Sequence, residues 1–143
     1  MWSTASTFEV EGVSPGDVWS RAYSDPRVWP RWNDALRSVE PEGPFEAGGR
    51  TRVRFRTGLR LVFTLVEFEP DRLFTDEARL PGARMGHRHA LEPTVAGVRL
   101  VNTLYIEGPL ERVWSLVMGP SIRRGLPRWQ RKTVEVAAAP GGA

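Results

Sequence analysis

Residues 50–57, Arg50-Thr51-Arg52-Val53-Arg54-Phe55-Arg56-Thr57, place arginine at every second position. In an extended chain successive side chains point to opposite faces. This stretch therefore reads as a strand with a wet face of Arg50, Arg52, Arg54 and Arg56 and a drier face of Thr51, Val53, Phe55 and Thr57. Working outward, the same logic predicts strands at 36 to 40, 60 to 68, 73 to 80, 84 to 92 and 98 to 106. They are separated by Gly43-Pro44, Gly48-Gly49, Gly58, Pro70-Asp71, Pro81-Gly82 and Ala96-Gly97. Phe8-Glu9-Val10-Glu11-Gly12-Val13 alternates in the same way and makes a seventh strand. Such spacing implies consecutive antiparallel hairpins, and a sheet with one apolar face must bury it against a helix or close into a barrel.

Helical signals flank this β region. Ser14 is a good N-cap, Pro15 suits the first helical position and Asp17 puts a carboxylate in the first turn. Val18, Trp19, Ala22 and Tyr23 follow at helical spacing and predict a buried stripe that Asp25-Pro26 ends. Residues 26 to 33, with Trp29-Pro30-Arg31-Trp32-Asn33, predict a second short helix limited by Pro30. Toward the C-terminus, Leu110, Val113, Trp114, Val117 and Met118 recur at three- and four-residue spacing, and Ile122, Leu126, Trp129 and Thr133 continue the stripe. Pro120 and Pro127 remove helix hydrogen bonds, which predicts a kinked or two-piece helix.

Composition bounds the function. At 143 residues one domain and one core are expected. There is no cysteine, so disulfides, thiolate metal sites and a cysteine nucleophile are all excluded. No apolar run is long enough to span a bilayer, and the first residues lack the basic and apolar regions of a signal peptide, which predicts a cytoplasmic protein without stable membrane insertion. Nineteen of the twenty basic residues are Arg, so the high pI reflects guanidinium chemistry more than charge excess, the formal net charge being only +3. No nucleophile motif, glycine-rich phosphate loop or paired-carboxylate constellation is present, and no cofactor is expected.

The order of elements, one strand, two short helices, six further strands and a long C-terminal helix, resembles the helix-grip fold of the START-like (SRPBCC) superfamily, which includes polyketide cyclases, aromatases and lipid-transfer proteins. Val18-Trp19, Asp25 and Trp29-Pro30-Arg31-Trp32-Asn33 look like the opening segment of that family. His89-Ala90-Leu91-Glu92-Pro93 is similar to its sixth-strand motif, and Gly108-Pro109-Leu110 with Leu126-Pro127 resembles its long helix. The likeness covers residues 8 to 136. It implies an α+β domain over 1–143, with a seven-stranded curved antiparallel sheet wrapped around the C-terminal helix and flexible ends at 1–6 and 138–143.

The resemblance also implies an apolar cavity between sheet and helix that takes an aromatic, polyketide-like or lipid ligand. The inward faces nominate Trp32 at the mouth, Val53, Phe55, Phe63, Leu65, His87, His89, Asn102 and Leu104 from the sheet, and Met118, Ile122 and Trp129 from the helix. A bulge would invert such an assignment along a whole strand. Asn102 stands where relatives often carry His, and an amide cannot act as a base at neutral pH.

His87 and His89, the only histidines, share one strand face and admit three readings. As acid/base catalysts they would move protons on a polyketide-like enol or carbonyl. As an H-x-H metal pair they would need a carboxylate such as Asp76 to complete the set. As wall residues they would orient a ligand or satisfy their own hydrogen bonds, which is the reading adopted, with no metal. Arg79, Arg84 and Arg88 either bind a ligand carboxylate or lie solvated outside. The Arg50–Arg56 face offers a rival function in nucleic-acid binding, but Glu40, Glu42, Glu46, Glu67 and Glu69 on adjoining segments favour charge pairing instead. The expected partner is thus a hydrophobic small molecule and not a nucleic acid, with the protein a monomer or homodimer.

Overall fold

In the computed structural model, which describes residues 1–139, every connection between neighbouring strands is antiparallel. The strands are β1 (Trp2–Glu11), β2 (Leu36–Pro41), β3 (Arg50–Phe55), β4 (Arg60–Glu69), β5 (Leu73–Leu80), β6 (Ala83–Pro93) and β7 (Gly97–Glu107). They form one sheet in the order β1-β7-β6-β5-β4-β3-β2. Because β1 and β2 sit at opposite edges, the chain between them must cross the sheet. It does so as α1 (Pro15–Val18), a π-helical segment (Trp19–Tyr23) and a 3₁₀ segment (Pro26–Arg31). A single long helix, α2 (Glu111–Ala138), follows β7. This is the helix-grip α+β architecture that the element order implied.

Local chemistry explains the helical crossing. Ser14 Oγ accepts from Asp17 N at 3.0 Å while Asp17 Oδ2 accepts from Ser14 N at 3.1 Å, a reciprocal capping box. Asp25 caps the 3₁₀ segment by accepting from Arg27 N at 3.0 Å. Trp29 and Trp32 then turn inward. Their indole N–H groups donate to the carbonyls of Tyr23 at 3.0 Å and Ala22 at 2.9 Å, which lets both rings be fully buried without an orphaned donor.

Several expectations are corrected. Residues 2–6 are paired with β7 from Trp2↔Ile106 to Ser6↔Asn102, so the segment expected to be flexible is an edge strand. Trp2 anchors it, lying against Gly119 of α2 with the Arg123 guanidinium 5.4 Å from its ring centroid. At the other end Ala138 is still helical, while the rest of the tail expected to be flexible, residues 140 to 143, lies outside the described residues. Of the kinked and two-piece alternatives for the C-terminal helix, the two-piece one is overturned: α2 runs continuously through Pro120 and Pro127. Each proline deprives the carbonyl four residues earlier of a donor, and both affected residues, Leu116 and Arg123, are on the exposed side, where solvent is at hand to take the place of the lost donor. The apolar stripe is also shorter than its periodicity suggested: Leu110, Val113 and Val117 face solvent, and burial of the stripe becomes continuous only from Ile122 onward.

On β4 the register shifts between Leu65 and Glu67. Phe63 and Leu65 point inward before this irregularity, and Phe68 points inward after it, against Trp19 and Phe45. Strict alternation would have sent Glu67 there. On the outer face Arg52 reaches Glu40 at 3.2 Å and Glu42 at 3.4 Å, Arg50 reaches Glu42 at 3.8 Å, and Arg56 Nε donates to the Asp34 carbonyl at 2.8 Å. Arg84 pairs with Glu107, and Arg88 meets Glu67 at 3.4 Å. These arginines lie outside the core.

Two polar attachments hold α2 to the rest. Gln130, 1% exposed, sits with Nε2 within reach of Ser6 O at 2.7 Å, Leu100 O at 3.2 Å and Asn102 Oδ1 at 2.9 Å, while its Oε1 accepts from Ser6 Oγ at 2.7 Å. Asp34, just past the 3₁₀ segment, takes Arg128 as a fork at 2.7 and 3.0 Å and the Trp129 indole N–H at 2.9 Å. The Arg128 hydrogen bond foremost, with the Trp129 bond and the charges of Arg128 and Lys132, holds the Asp34 carboxyl well below the usual carboxylate range.

Replacing Asp34 with Ala should cost about 1–2 kcal/mol at neutral pH, taking charge-assisted hydrogen bonds discounted for a side chain one-third exposed. A depressed pKa adds stability only above the unfolded value near 4, so the gap in urea midpoint between wild type and Asp34→Ala should narrow steadily as pH falls below about 4. A gap unchanged from pH 7 to pH 2 would show that the carboxylate charge contributes nothing.

Candidate functional site

A cavity of about 80 Å³ lies between the inner face of the sheet and α2. The 3₁₀ segment and the loop after it supply Trp29, Trp32 and Asn33, and β2 supplies Leu36. From the sheet come Val53 and Phe55 on β3, Phe63 on β4, Asp76 on β5, Met85, His87 and His89 on β6, and Leu104 on β7. Helix α2 adds Met118, Ile122 and Trp129. Gly125 makes room for the last of these, since a Cβ there would lie 2.4 Å from Trp129 Cζ2. The indole thus lies across the helix surface one turn back, toward the cavity.

Most of the residues nominated from the sequence meet around this space, but two do not. Leu65 is buried in the core beside the cavity without lining it. Asn102 stands behind the wall, bonded to His87, because the helix amide Gln130 draws it away. Trp32, expected at the mouth, is an interior wall: it is 2% exposed and packs edge-on against Tyr23 and His89. Asp76 was considered only as a third metal ligand, and Trp29, Asn33, Leu36 and Met85 were not nominated. Alternation with His87 on β6 would have found Met85, and pairing of Asp76 opposite His87 requires the register. Gln130 was overlooked too, although a polar residue on an apolar helical stripe was its signal.

The polar groups have defined roles. Gln130 must present its NH₂ to the carbonyls of Ser6 and Leu100, since an oxygen there would face oxygens. Asn102 Oδ1 therefore accepts from Gln130, which leaves Asn102 Nδ2 to donate to His87 Nε2 at 3.1 Å. An acceptor Nε2 means that neutral His87 carries its proton on Nδ1. His89 is held differently, stacked between Phe74 at 4.1 Å and His87 at 3.7 Å, with Trp29 stacked on the far side of Phe74 at 5.4 Å. Its Nδ1 makes no hydrogen bond.

Burial dominates the electrostatics. It pushes the His87 imidazole down to about 3 and pulls His89 well below its ordinary value, with the neighbouring His87 adding to the effect on His89. Both rings are neutral at physiological pH. Asp76 is 6% exposed and its Oδ1 has no partner. Burial raises its carboxyl to about 7, and neither Arg nor Lys lines the cavity to oppose that shift. Arg79, Arg84 and Arg88 do not reach it. Among the described residues, no cluster of three or more His, Asp or Glu is disposed to hold a metal ion.

Residues 1–140 match the family model described as polyketide cyclase / dehydrase and lipid transport. The chain belongs to this family. Within the START-like class that the sequence resembled, family and fold together mark it as a hydrophobic-ligand-binding domain. No curated protein matches the sequence. Among solved structures, protein MLL2253 from Mesorhizobium loti is 18% identical over 94% of this chain and 96% of its own, with a TM-score of 0.74. Protein jhp0584 from Helicobacter pylori is 14% identical over 94% and 86%, also at 0.74, and Ara h 8.0201 is 13% identical over 96% and 97%, at 0.69. At such identities the likeness establishes a shared fold. No helix among the described residues of this family member is long and apolar enough to cross a membrane.

The hydrogen-bond chain from Gln130 to His87 makes a spectroscopic prediction. In ¹⁵N spectra His87 should show a protonated Nδ1 and an unprotonated Nε2, and neither histidine should titrate between pH 5 and 8. Gln130→Ala should loosen that tautomer preference. Because the unfolded imidazoles protonate near 6.5 and the folded ones only far lower, their contribution weakens the fold as pH drops below about 6.5. A histidine titrating near 6.5 in the folded protein would contradict the burial argument.

Proposed function

We propose that the protein binds a compact hydrophobic molecule, aromatic in preference to a long lipid chain, in the cavity between its sheet and α2. The observation that carries this reading is an internal space walled by Trp29, Trp32, Phe55, Phe63 and Trp129, with few polar groups, which is the usual composition of a small-molecule site. Its size argues for a compact ligand. About 80 Å³ is well below the roughly 300–1,000 Å³ of drug-sized pockets, so a longer chain enters only if α2 or the Met118 side chain moves. Met118, only partly buried near the solvent-facing half of α2, is the adaptable part of that wall.

The cyclase or dehydratase alternative, with His87 or His89 as acid/base, draws less support from the same geometry. Neutral imidazoles with strongly lowered basicity are poor proton acceptors at neutral pH, and His89 is clamped between two rings. Arg50, Arg52 and Arg56 meet carboxylates or backbone nearby, which leaves the cavity as the better-supported site over nucleic-acid binding.

Filling the cavity tests the proposal. Met118→Trp should weaken binding of a single-ring aromatic such as ethylbenzene at least tenfold, followed by quenching of intrinsic tryptophan fluorescence or by calorimetry, while the circular dichroism spectrum stays unchanged. Undiminished affinity in the folded variant would place the ligand elsewhere.

A further inference from the structure

The polar end of the cavity carries information about what the ligand must present. Asp76 and His87 are directly opposite one another in the β5–β6 register, and both line the cavity. Residues so paired have Cβ atoms about 4.5–5.5 Å apart, close enough for two side chains to meet one ligand atom. The tautomer set by Asn102 leaves His87 with Nδ1–H as its free donor. Asp76 Oδ1 is buried without any hydrogen-bond partner, and a buried polar atom left unpaired costs about 1–3 kcal/mol unless something satisfies it. Among the described residues no polar side chain fills that need.

We propose that Asp76, as a carboxylic acid, and His87 Nδ1–H form a two-donor site for one carbonyl oxygen, so that the ligand is an uncharged aryl or conjugated ketone or aldehyde. This rests on the cavity being the ligand site. A carbonyl oxygen has two lone pairs and matches two donors, whereas a hydrocarbon leaves both unsatisfied. A carboxylate ligand would find no cation in the lining, and an ammonium would meet the His87 N–H. Aromatic walls at Trp29, Trp32 and Trp129 suit the ring that the carbonyl is attached to.

The protonation state of Asp76 agrees with this role. Its carboxyl is raised to about 7 by burial, so the donor form is available at and below neutrality. The titratable groups facing it are His87 and His89 from β6, both neutral, with Tyr23 from the π-helical segment packed edge-on against His89. From β4, Phe63 and Leu65 are apolar, and from α2 the lining residues Met118, Ile122 and Trp129 carry no charge. The Asp34–Arg128 pair meets the cavity only through the Trp129 indole.

The test compares acetophenone, ethylbenzene, benzoate and benzylamine, similar in size, by calorimetry on the full chain from pH 5.5 to 9. Acetophenone should bind about tenfold more tightly than ethylbenzene below pH 7, a difference equivalent to one net hydrogen bond. That advantage should decline above pH 7, because the Asp76 anion would oppose a carbonyl oxygen. Asp76→Asn keeps a donor and should retain the ketone preference while losing its pH dependence. Asp76→Leu should abolish the preference, bringing acetophenone and ethylbenzene to equal affinity at every pH. Equal affinity for ketone and hydrocarbon, or benzylamine binding that strengthens with pH, would overturn this assignment and leave the ligand cavity standing. Failure of all four compounds to bind would overturn both.

Discussion

The amide of Gln130 lies on the otherwise largely apolar buried stripe of α2, and it reaches two strands of the sheet at once. Its NH₂ meets the carbonyls of Ser6 on β1 and Leu100 on β7 as well as the Asn102 side chain, and its oxygen takes the Ser6 hydroxyl. Hydrophobic burial of Ile122, Leu126 and Trp129 brings helix and sheet together but is indifferent to rotation or sliding. The amide is not, since a shift of one residue would orphan several buried groups at about 1–3 kcal/mol each. It therefore sets where α2 sits, and through Asn102 it sets the donor that His87 offers to the cavity.

The inner face of this sheet combines strong packing with poorly satisfied polar chemistry. The Trp29-Phe74-His89-His87 stack and the edge-on contacts of Tyr23 and Trp19 make a dense aromatic block on one side of the cavity. Yet Tyr23, Asp76 and His89 each leave a buried polar atom without a partner. Their effects on the fold oppose one another with pH. The raised Asp76 carboxyl weakens the fold as pH climbs from about 4 to 7, whereas the lowered histidines weaken it as pH falls below about 6.5. A region dense in rings yet under-satisfied in hydrogen bonds departs from what stability alone would select, and functional sites are where such departures concentrate.

Legibility in the sequence varied with how local the responsible physics is. Alternation over 50–57 and the turn residues located β2 to β7 and the second half of β1, because period-two patterning needs no partner to be read. Ser14 with Asp17 marked a helix start that the capping box realises. The edge strand from Trp2 was missed since Ser and Thr blur its alternation, and it is held by pairing with β7 over ninety residues away in sequence. Phe68 turned inward because of an irregularity after Leu65 that no pattern announces. At the candidate site, Trp129 and Ile122 were legible from helical spacing, while Asp76 gained its importance only from facing His87 across a hairpin in a space without cations.

By itself the sequence determined the element order and the apolar faces that had to meet, because periodicity, caps and turns act within a few residues, and the helix-grip class followed from the resemblance of that order to a known family. Tertiary structure decided the rest. Asn102 became the support of His87 instead of a wall residue, Trp32 an inner wall instead of a rim, and Asp76 a buried, raised carboxyl in the cavity lining. Each depends on which groups are brought within a few ångströms and which are kept from water. Desolvation and hydrogen-bond geometry are properties of the assembled surroundings, and no local stretch of chain contains them.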